Sequence, residues 1–277
     1  MTQLTLTKHH GLGNDFLVVF HPGVSELCEL AKQLCDRRHG IGADGLLIGE
    51  TAAGYSAQMV LYNADGSRAE MSGNGVRCFA QALAMRRGDY LEQRILTDAG
   101  VRSVVLSETD VHSIIEAAVD MGEILPLAEP ANWATLECDP MRPVAHLGVG
   151  NPHSVVGVDN VAEVDLLTLG GKLPGVNLEI IEPGPETDSI TMRVHERGAG
   201  ITEACGTGAC ASAWAARQWG LVAADAEEIV VHMPGGDARV RLDKPSRDRA
   251  TLVGPARFVG TITIDLTQWV PQMRSGR

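Results

Sequence analysis

The chain has 277 residues, 44% hydrophobic and 21% charged, a composition typical of globular proteins that excludes disordered, collagenous and fibrous classes. Its length suggests two domains of about 140 residues each. The formal net charge is −12, and no basic stripe occurs, so nucleic acid is not an expected partner. No apolar run approaches the roughly 20 residues that cross a bilayer, and the N-terminus lacks the features of a signal peptide. We therefore expect no membrane association and a cytoplasmic location.

The six cysteines show no paired spacing and no interleaved histidine ligands, so they are expected to be reduced thiols; they are Cys28, Cys35, Cys78, Cys138, Cys205 and Cys210. Most buried free cysteines act as small apolar residues. The histidines likewise lack metal-ligand spacing with carboxylates, and we expect no metal site.

In chain order, the first predicted helix runs from Val24 to Arg38, with apolar residues at helical spacing and Ser25 as its N-cap. A turn-rich segment, HGIGADG, leads from it into the strand LLIGE. Further strands are predicted at Gln58 to Tyr62, Arg102 to Ser107 and Val111 to Val119. A short polar turn joins the last two and is typical of a hairpin. Short strands mixed with helices predict an α/β or α+β fold with antiparallel pairs.

A weak internal repeat divides the chain. A shift of 133 residues places Ser56 to Ala84 on Ser189 to Arg217 without a gap, with seven identities in 29 positions. A second match, GNDFLVV on GNPHSVV, follows at a shift of 137 and in the same order. We interpret this as two copies of one fold related by an approximate twofold axis. A single domain with coincidental identities is the alternative.

Each copy contains a Gly-x-Gly pair that opens a helix of small residues, in MSGNGVRC and in ACGTGACA. A helix N-terminus presents unpaired N–H groups and the positive end of the helix dipole, which together bind anions. Two such termini, brought face to face, predict a pocket for one carboxylate. We expect that carboxylate to lie among the amides of Gly73, Asn74, Gly206 and Thr207.

Ser72 and Cys205 precede the two glycine pairs at equivalent positions of the repeat. A thiol at a helix N-terminus has its pKa lowered to about 3.5 to 7.5, which predicts that Cys205 is a thiolate and a base. Groups on opposite sides of one carboxylate suit removal of a proton from one face of a carbon and its return to the other. This arrangement predicts a racemase or an epimerase.

Two other interpretations of these segments remain. Both could be structural helices with glycine-rich ends and an incidental buried cysteine. GTGACA also fits the GxGxxG/A dinucleotide pattern, but no strand runs directly into its first glycine and no acidic residue ends a second strand about 20 residues on.

At these motifs the sequence resembles the diaminopimelate epimerases, cofactor-independent enzymes that interconvert LL- and meso-diaminopimelate on the way to lysine and peptidoglycan. The resemblance spans nearly the whole chain; its motifs are HGLGNDF, DRRHGIGADG, NADGS, GNGVRC, GNPH, VN, ERGAG, EACGTGACA and LVGPA. It implies two similar lobes, each a curled, mostly antiparallel sheet wrapped around a central helix. The implied N-terminal lobe comprises residues 1–117 with 260–277, and the C-terminal lobe residues 118–259. The final strand, about Gly260 to Leu266, is expected to return to the N-terminal lobe.

The resemblance also implies the substrate contacts. The distal amino-acid end is expected to contact Asn14, Asn63, Asn151, Asn177 and Arg197. Amides donate and accept, which suits a zwitterion, and arginine can hold a carboxylate through two bonds. Glu196 is expected to accept the ammonium at the reacting carbon, with His153 nearby. The alternative for any single asparagine is a turn in which the side chain bonds its own backbone. The expected partner is a small amino acid, without a cofactor, and the sequence leaves a homodimer open.

The sequence departs from the family pattern at one position. The family's first catalytic cysteine lies in Cys-Gly-Asn-Gly, whereas this chain has Ser72-Gly73-Asn74-Gly75. A hydroxyl is a far poorer base than a thiol, so impaired turnover is expected. Three explanations stay open: a serine engineered to trap a ligand, favoured because no other motif is altered; a natural Ser/Cys epimerase or racemase of another amino acid; and a non-catalytic amino-acid-binding protein.

Overall fold

The described part of the chain, residues 3–243, 248–266 and 269 of the computed structural model, is a mixture of strands and helices in two units. Unit 1 comprises Met1–Ala117 with Pro255–Arg277, and unit 2 comprises Ala118–Gly254. The chain passes between the units inside two strands, β8 (Ile114–Glu123) and β17 (Arg249–Asp265). The end predicted for the second lobe, residue 259, lies in the same strand as the division at residue 254.

The other elements that lie in unit 1 are two helices and seven strands: β1 (Gln3–Gly11), β2 (Asn14–Phe20), α1 (Leu27–Cys35), β3 (Gly45–Glu50), β4 (Ala57–Asn63), β5 (Arg68–Ala69), α2 (Gly73–Arg87), β6 (Gln93–Thr97) and β7 (Gly100–Glu108). Most neighbouring strands are antiparallel, as in β1–β2, β3–β4, β4–β5 and β6–β7. The pairs β2–β3 and β4–β6 are parallel. The C-terminal part of β17 pairs antiparallel with β1, from Arg257 to Asp265.

The elements of unit 2 repeat this order: β9 (Leu125–Pro126), β10 (Val144–Gly148), β11 (Pro152–Gly157), α3 (Leu166–Gly171), β12 (Asn177–Pro183), β13 (Ser189–Glu196), β14 (Gly200–Thr202), α4 (Gly206–Gln218), β15 (Ile229–Met233) and β16 (Gly236–Leu242). Two short 3-10 helices, Trp133–Leu136 and Val161–Glu163, complete the unit. The pairs β10–β11, β12–β13, β13–β14 and β15–β16 are antiparallel, whereas β11–β12 and β13–β15 are parallel. Each pairing therefore has its counterpart in unit 1, and the two units are copies of one fold.

A helix of small residues packs inside the sheet of each unit. Helix α2 contacts β1, β2, β3, β4 and β7, and all its residues from Gly73 to Ala84 are buried. Helix α4 contacts β10 to β13, β15 and β16 in the same way. A helix surrounded by strands packs closely on every face, which explains the alanines and glycines in both segments, although α2 also buries the large side chains of Arg77 and Phe79. The predicted fold class, two lobes of mostly antiparallel sheet around a central helix, is confirmed.

Strand β3, which pairs with β2 and β4, has both faces covered. In β3, Leu46 and Ile48 pack in the core that includes Leu30 and Leu34 of α1. Leu47, between them, points to the other face, toward the N-terminus of α2. Because both faces are covered, β3 is a continuous apolar run, as is usual for the parallel parts of sheets.

Three predicted boundaries need correction. Helix α1 is shorter than Val24 to Arg38, and Ser25 does not cap it, because the Ser25 hydroxyl donates to the Glu26 carboxylate instead. Strand β8 begins at Ile114 rather than at Val111, because the Thr109 side chain closes a turn onto the Ile114 carbonyl. The last strand begins at Arg249, well before the predicted Gly260.

Candidate active site

Ser72 and Cys205 occupy the same structural position, the N-cap of the central helix in their unit. Both have extended backbone, with φ −142° and ψ 120° at Ser72 and φ −127° and ψ 113° at Cys205. The Ser72 hydroxyl accepts a hydrogen bond from the Gly75 amide at 3.0 Å, and the Cys205 sulfur accepts one from the Gly208 amide at 3.4 Å. The first amides of each helix have no partner inside the helix. Each unit therefore presents a polar side chain beside the first N–H groups of its central helix.

In unit 1, two of the predicted site residues are joined directly. The side-chain amide of the buried Asn74 donates to Asn14 Oδ1 at 3.2 Å, and Asn74 Oδ1 accepts from the Arg77 guanidinium at 2.8 Å. Asn14 in turn donates to the Asp44 carboxylate at 2.7 Å. This chain of bonds fixes the orientation of both amides next to the N-terminus of α2.

A cluster of charges that the sequence did not reveal holds this chain of bonds. Asp15 and Asp44 share Arg37, at 2.7 and 2.6 Å, and Lys8 lies 2.9 Å from Asp15. Burial alone would raise the pKa of Asp15, but the hydrogen bonds from Arg37 and Lys8 outweigh it and lower that pKa. Both aspartates lie in motifs, Asp15 in HGLGNDF and Asp44 in HGIGADG, but only folding brings them together.

Asn63 ends β4, and its hydrogen bonds are local. Its side chain donates to the Ser67 hydroxyl at 3.0 Å, and its backbone amide donates to the Ser67 carbonyl at 2.8 Å. The turn that follows β4 is therefore closed by the residue predicted to contact substrate. Its role in binding stays a prediction.

In unit 2, Cys205 is 4% exposed and lies among oxygen-bearing side chains. Its sulfur is 3.4 Å from the Thr207 hydroxyl, and it interacts electrostatically with the Glu196 carboxylate, which accepts a hydrogen bond from Thr202. Glu196 lies at the end of β13. The structure thus brings three of the predicted residues, Cys205, Thr207 and Glu196, into one cluster.

The expectation that Cys205 is a thiolate is wrong. Burial is the largest effect and raises its pKa well above that of a free thiol, and the Glu196 and Glu179 carboxylates raise it further. The hydrogen bonds from Thr207 and the Gly208 amide lower it, but by less. Burial likewise raises the pKa of Glu196. Cys205 is therefore a thiol in this structure, a proton donor before it is a base.

His153 lies on β11, fully buried, with partners on both ring nitrogens. Its Nδ1 is 2.7 Å from Glu179 Oε1, and its Nε2 is 2.8 Å from Asn151 Oδ1. Sequence reasoning missed Glu179, which is 0% exposed. A single acidic residue in the buried strand NLEII was the available signal. His153 thus connects two residues: Asn151, which was predicted for the site, and Glu179, which was not.

The Asn177 side chain joins two segments that carry other predicted site residues. Its amide donates to the Pro152 carbonyl at 3.0 Å, and its carbonyl oxygen accepts from the Arg197 backbone amide at 2.9 Å. Asn177 is 3% exposed, whereas Arg197 is exposed. The asparagine side chain therefore fixes the backbone of Arg197.

Other features of the described residues bear on the class of site. Burial raises the pKa of Cys35 and of Cys78 to about 12, so neither is a reactive thiol at neutral pH. No group of three or more His, Cys, Asp or Glu side chains in this part of the chain is arranged to hold a metal ion. None of the helices within residues 3–243 and 248–266 combines the length and the apolar character that crossing a bilayer requires.

The family model described as diaminopimelate epimerase matches residues 6–125 and 146–259, most of both units. The chain belongs to the diaminopimelate epimerase family. A diaminopimelate epimerase of Thermosynechococcus vestitus is 38% identical to it, over 94% of this chain and 99% of that protein. One from Halothermothrix orenii is 34% identical, over 94% and 97%. The resemblance given by the motifs is confirmed.

Solved structures share the fold at much lower identity. A phenazine biosynthesis protein of the PhzF family from Bacillus anthracis aligns with a TM-score of 0.73 and 14% identity, covering 96% of this chain and 100% of that one. A hydroxyproline epimerase from Agrobacterium vitis aligns with a TM-score of 0.70 and 14% identity, covering 95% and 91%. At this identity the likeness shows the fold alone.

Proposed function

We propose that the chain epimerises LL-diaminopimelate to meso-diaminopimelate by proton transfer at one α carbon, a step toward lysine and peptidoglycan. One observation carries this proposal: Ser72 and Cys205 cap equivalent helices in two copies of one fold. Residues at matching positions of a duplicated fold suit a reaction whose substrate and product differ only in which face of a carbon bears the hydrogen. Membership of the diaminopimelate epimerase family supports the substrate.

Cys205 is the acid or base for one face of the α carbon, and position 72 has that role for the other. When Cys205 donates, its S–H bond breaks, a C–H bond forms, and the electron pair of the carbanion becomes that bond. The raised pKa of Cys205 favours this direction at neutral pH. In that direction position 72 is the base that removes the α hydrogen from the other face. The opposite direction needs a thiolate at Cys205 as the base and a proton donor at position 72.

The α hydrogen of an amino acid is a very weak acid, so the site must stabilise the negative charge that develops as it leaves. We assign this task to the amides of Gly73, Asn74, Gly206 and Thr207, the first amides of α2 and α4. N–H groups at helix ends are preorganised donors and need little reorientation during the reaction. We assign to Glu196, beside Cys205, the task of accepting the ammonium at the same carbon.

The distal amino-acid end is assigned to Asn14, Asn63, Asn151, Asn177 and Arg197. Hydrogen bonds within each unit already orient all four asparagines. Asn177 also fixes the backbone of Arg197, whose planar guanidinium suits a carboxylate. This rigid set would distinguish diaminopimelate from amino acids that lack a second zwitterionic end.

Ser72 is the observation that favours a weakened enzyme or a second candidate function. A serine hydroxyl at this position keeps the helix cap but is a poor base. An epimerase or racemase of another amino acid, or an amino-acid-binding protein without turnover, has the same geometry.

The six free cysteines support a reducing compartment, and we place the protein in the cytoplasm. A homodimer stays a prediction.

The test is exchange of the α hydrogen of diaminopimelate with solvent deuterium, followed by NMR, with separation of the LL and meso forms. We expect slow exchange by the unchanged chain and none by Cys205→Ala, whose helix end is otherwise the same. Binding is measured in parallel by calorimetry with diaminopimelate, lysine and glutamate. Tighter binding of lysine or glutamate would reject diaminopimelate as the substrate, and binding without exchange would favour the non-catalytic function.

A further inference from the structure

The proposed reaction gives no role to Asp44, the acidic residue of the glycine-rich turn HGIGADG. Its carboxylate nevertheless accepts hydrogen bonds from the Asn14 side-chain amide at 2.7 Å, from the Asp15 backbone amide at 3.0 Å and from a guanidinium. The guanidinium is that of Arg37, at 2.6 Å. Both carboxylate oxygens are in use, Oδ2 by Asn14 and Asp15 and Oδ1 by Arg37. Asp44 therefore holds a residue that is assigned to the distal end of the substrate.

The pairing of β2 with β3 places Asp44 beside Asn14. The two strands are parallel and their first pair is Phe16 with Gly45, so residues 15 and 44 lie side by side just before it. The Asp44 backbone amide donates to the Asp15 carbonyl at 2.9 Å, which continues the contact between the two segments. The register of the sheet thus brings the Asp44 carboxylate to the end of the β1–β2 turn, where Asn14 begins β2.

The chain of hydrogen bonds that ends at Asp44 has one direction. The Arg77 guanidinium at its start only donates and the Asp44 carboxylate at its end only accepts, whereas an asparagine between them can do both. Arg77 donates to Asn74, which donates to Asn14. Asn14 in turn donates to Asp44. A half-turn of the Asn74 amide would set two donors against each other at Arg77. A half-turn of the Asn14 amide would set two acceptors against each other at Asp44, so only one orientation of the two amides satisfies all three bonds.

This orientation leaves Asn14 with a donor to offer. One hydrogen of its side-chain amide goes to Asp44, and its side-chain oxygen accepts from Asn74. The second hydrogen of the amide has no hydrogen-bond partner among the residues that the structure describes. Asn14 is half-buried, whereas Asn74 is 1% exposed, so a ligand can reach Asn14. An N–H held in one direction suits an acceptor oxygen of a ligand, since an ammonium can only donate.

We propose that Asp44 is a positioning residue that acts through Asn14. By accepting one hydrogen of the Asn14 amide, it makes that side chain present the other hydrogen to an acceptor oxygen of the substrate. The consequence for substrate binding rests on the proposed function. The orientation of Asn14 does not, and it can be measured without substrate.

The first measurement is NMR of the full chain labelled with ¹⁵N at asparagine, without ligand. The Asn14 side-chain signals are identified by their absence from Asn14→Ala. A charge-assisted hydrogen bond to a carboxylate is short and moves the amide proton downfield. We therefore expect the two protons of the Asn14 amide to be separated by clearly more than those of free asparagine. In Asp44→Ala the separation should fall to that of free asparagine, because the amide has lost its charged acceptor.

A second arginine–aspartate pair in unit 1 provides the matched control. Arg68 donates two hydrogen bonds to Asp98, at 2.6 and 2.8 Å, and Asp98→Ala removes that pair. This variant should leave the Asn14 signals unchanged. Asn14 protons with the separation of free asparagine in the unchanged protein would overturn the proposal. A downfield proton that persists in Asp44→Ala would overturn it too.

Binding provides the second readout. In calorimetry with diaminopimelate, Asp44→Ala should bind about tenfold more weakly than the unchanged chain, the size of one hydrogen bond to a charged group. In α-hydrogen exchange the change should be in KM, with kcat nearly unchanged, because Asn14 is assigned to the distal end rather than to the reacting carbon. Asp98→Ala should change neither. A fall in kcat at constant KM would contradict the positioning role.

A double-mutant cycle separates positioning from a general loss of structure. In the Asn14→Ala background, Asp44→Ala should cause no further loss of affinity, because no amide is left to position. Equal losses in the two backgrounds would show that Asp44 does not act through Asn14.

Asp44→Asn is the conservative variant. It has one acceptor oxygen where the carboxylate uses two, so it should keep part of the affinity and part of the proton separation, and it replaces Asp44→Ala if that variant does not fold. Values equal to those of the unchanged protein in both measurements would contradict the need for a carboxylate. If the unchanged chain binds no diaminopimelate, the proposed function fails, while the NMR result for Asn14 stands.

Discussion

Replacing Ser72 with cysteine should convert a weak enzyme into an efficient one. The equivalent Cys205 already occupies the same cap with extended backbone, and its sulfur accepts from the Gly208 amide at 3.4 Å where the Ser72 oxygen accepts at 3.0 Å from Gly75. A sulfur therefore fits this position with little change in the backbone. A weaker cap should cost no more than about 1 kcal/mol of unfolding free energy.

The gain in activity should be much larger than this cost. A positioned acid or base contributes about 10² to 10⁴-fold, which corresponds to roughly 3 to 5 kcal/mol of the activation barrier. Diaminopimelate affinity should change little, because the asparagines and Arg197 are untouched. Turnover is measured as deuterium exchange and as conversion of LL to meso substrate, with Ser107→Cys as the control for an added exposed thiol. Turnover by the unchanged chain equal to that of Ser72→Cys would refute the assignment of position 72 as the second base.

Four further results are expected. Arg197→Lys should weaken binding of diaminopimelate in calorimetry yet leave short monocarboxylate amino acids nearly unaffected, because a point charge replaces a planar fork; equal losses would place the guanidinium at the reacting end. The rate of α-hydrogen exchange that depends on the Cys205 thiolate should rise about tenfold per pH unit from pH 7 to beyond the pKa of a free thiol, because the raised pKa of Cys205 keeps the thiol protonated over that range. A rate that is already constant at pH 7 would contradict this. Burial lowers the pKa of His9 to about 4, so the unfolded chain binds more protons than the folded chain between about pH 4 and 6.5. The free energy of unfolding should therefore fall by about 3 kcal/mol as pH falls through that window. His9→Gln should remove this loss in chemical denaturation. Gly208→Ala should lower the melting temperature, because its Cβ would meet a buried carboxylate oxygen at 2.6 Å. Gly171→Ala, with open space around its Cβ, should not. Equal melting temperatures for the two variants would show that the carboxylate moves aside freely.

The parts of the molecule that could be predicted are those with a local signal. The two helix N-caps, the strands beside them and the duplicated order of elements all follow from short motifs and from the internal repeat. Ser25 shows the limit of this reasoning. Its residue type suits an N-cap, but its neighbour Glu26 offered a nearer acceptor, and the helix began two residues later.

The electrostatics could not be predicted from the sequence, because they depend on contacts between distant segments. The helix end at Cys205 favours a thiolate, but burial and carboxylates from two strands reverse the effect. Glu179 is 26 residues from His153 in the sequence, and the parallel pairing of β11 with β12 brings them together. Such pairings follow from the register of a sheet, and no local pattern contains them.

The division of unit 1 into two stretches of sequence has a consequence for synthesis of the protein. Unit 2 is one continuous stretch, so all its described strand partners leave the ribosome before residue 255. Strand β1, made first, pairs with residues 257 to 265, made nearly last. Contacts between such distant segments form slowly. We therefore expect unit 2 to become protease-resistant on the nascent chain before unit 1. Unit 1 is synthesised earlier, but its sheet is complete only after residues 257 to 265 of β17 have paired with β1.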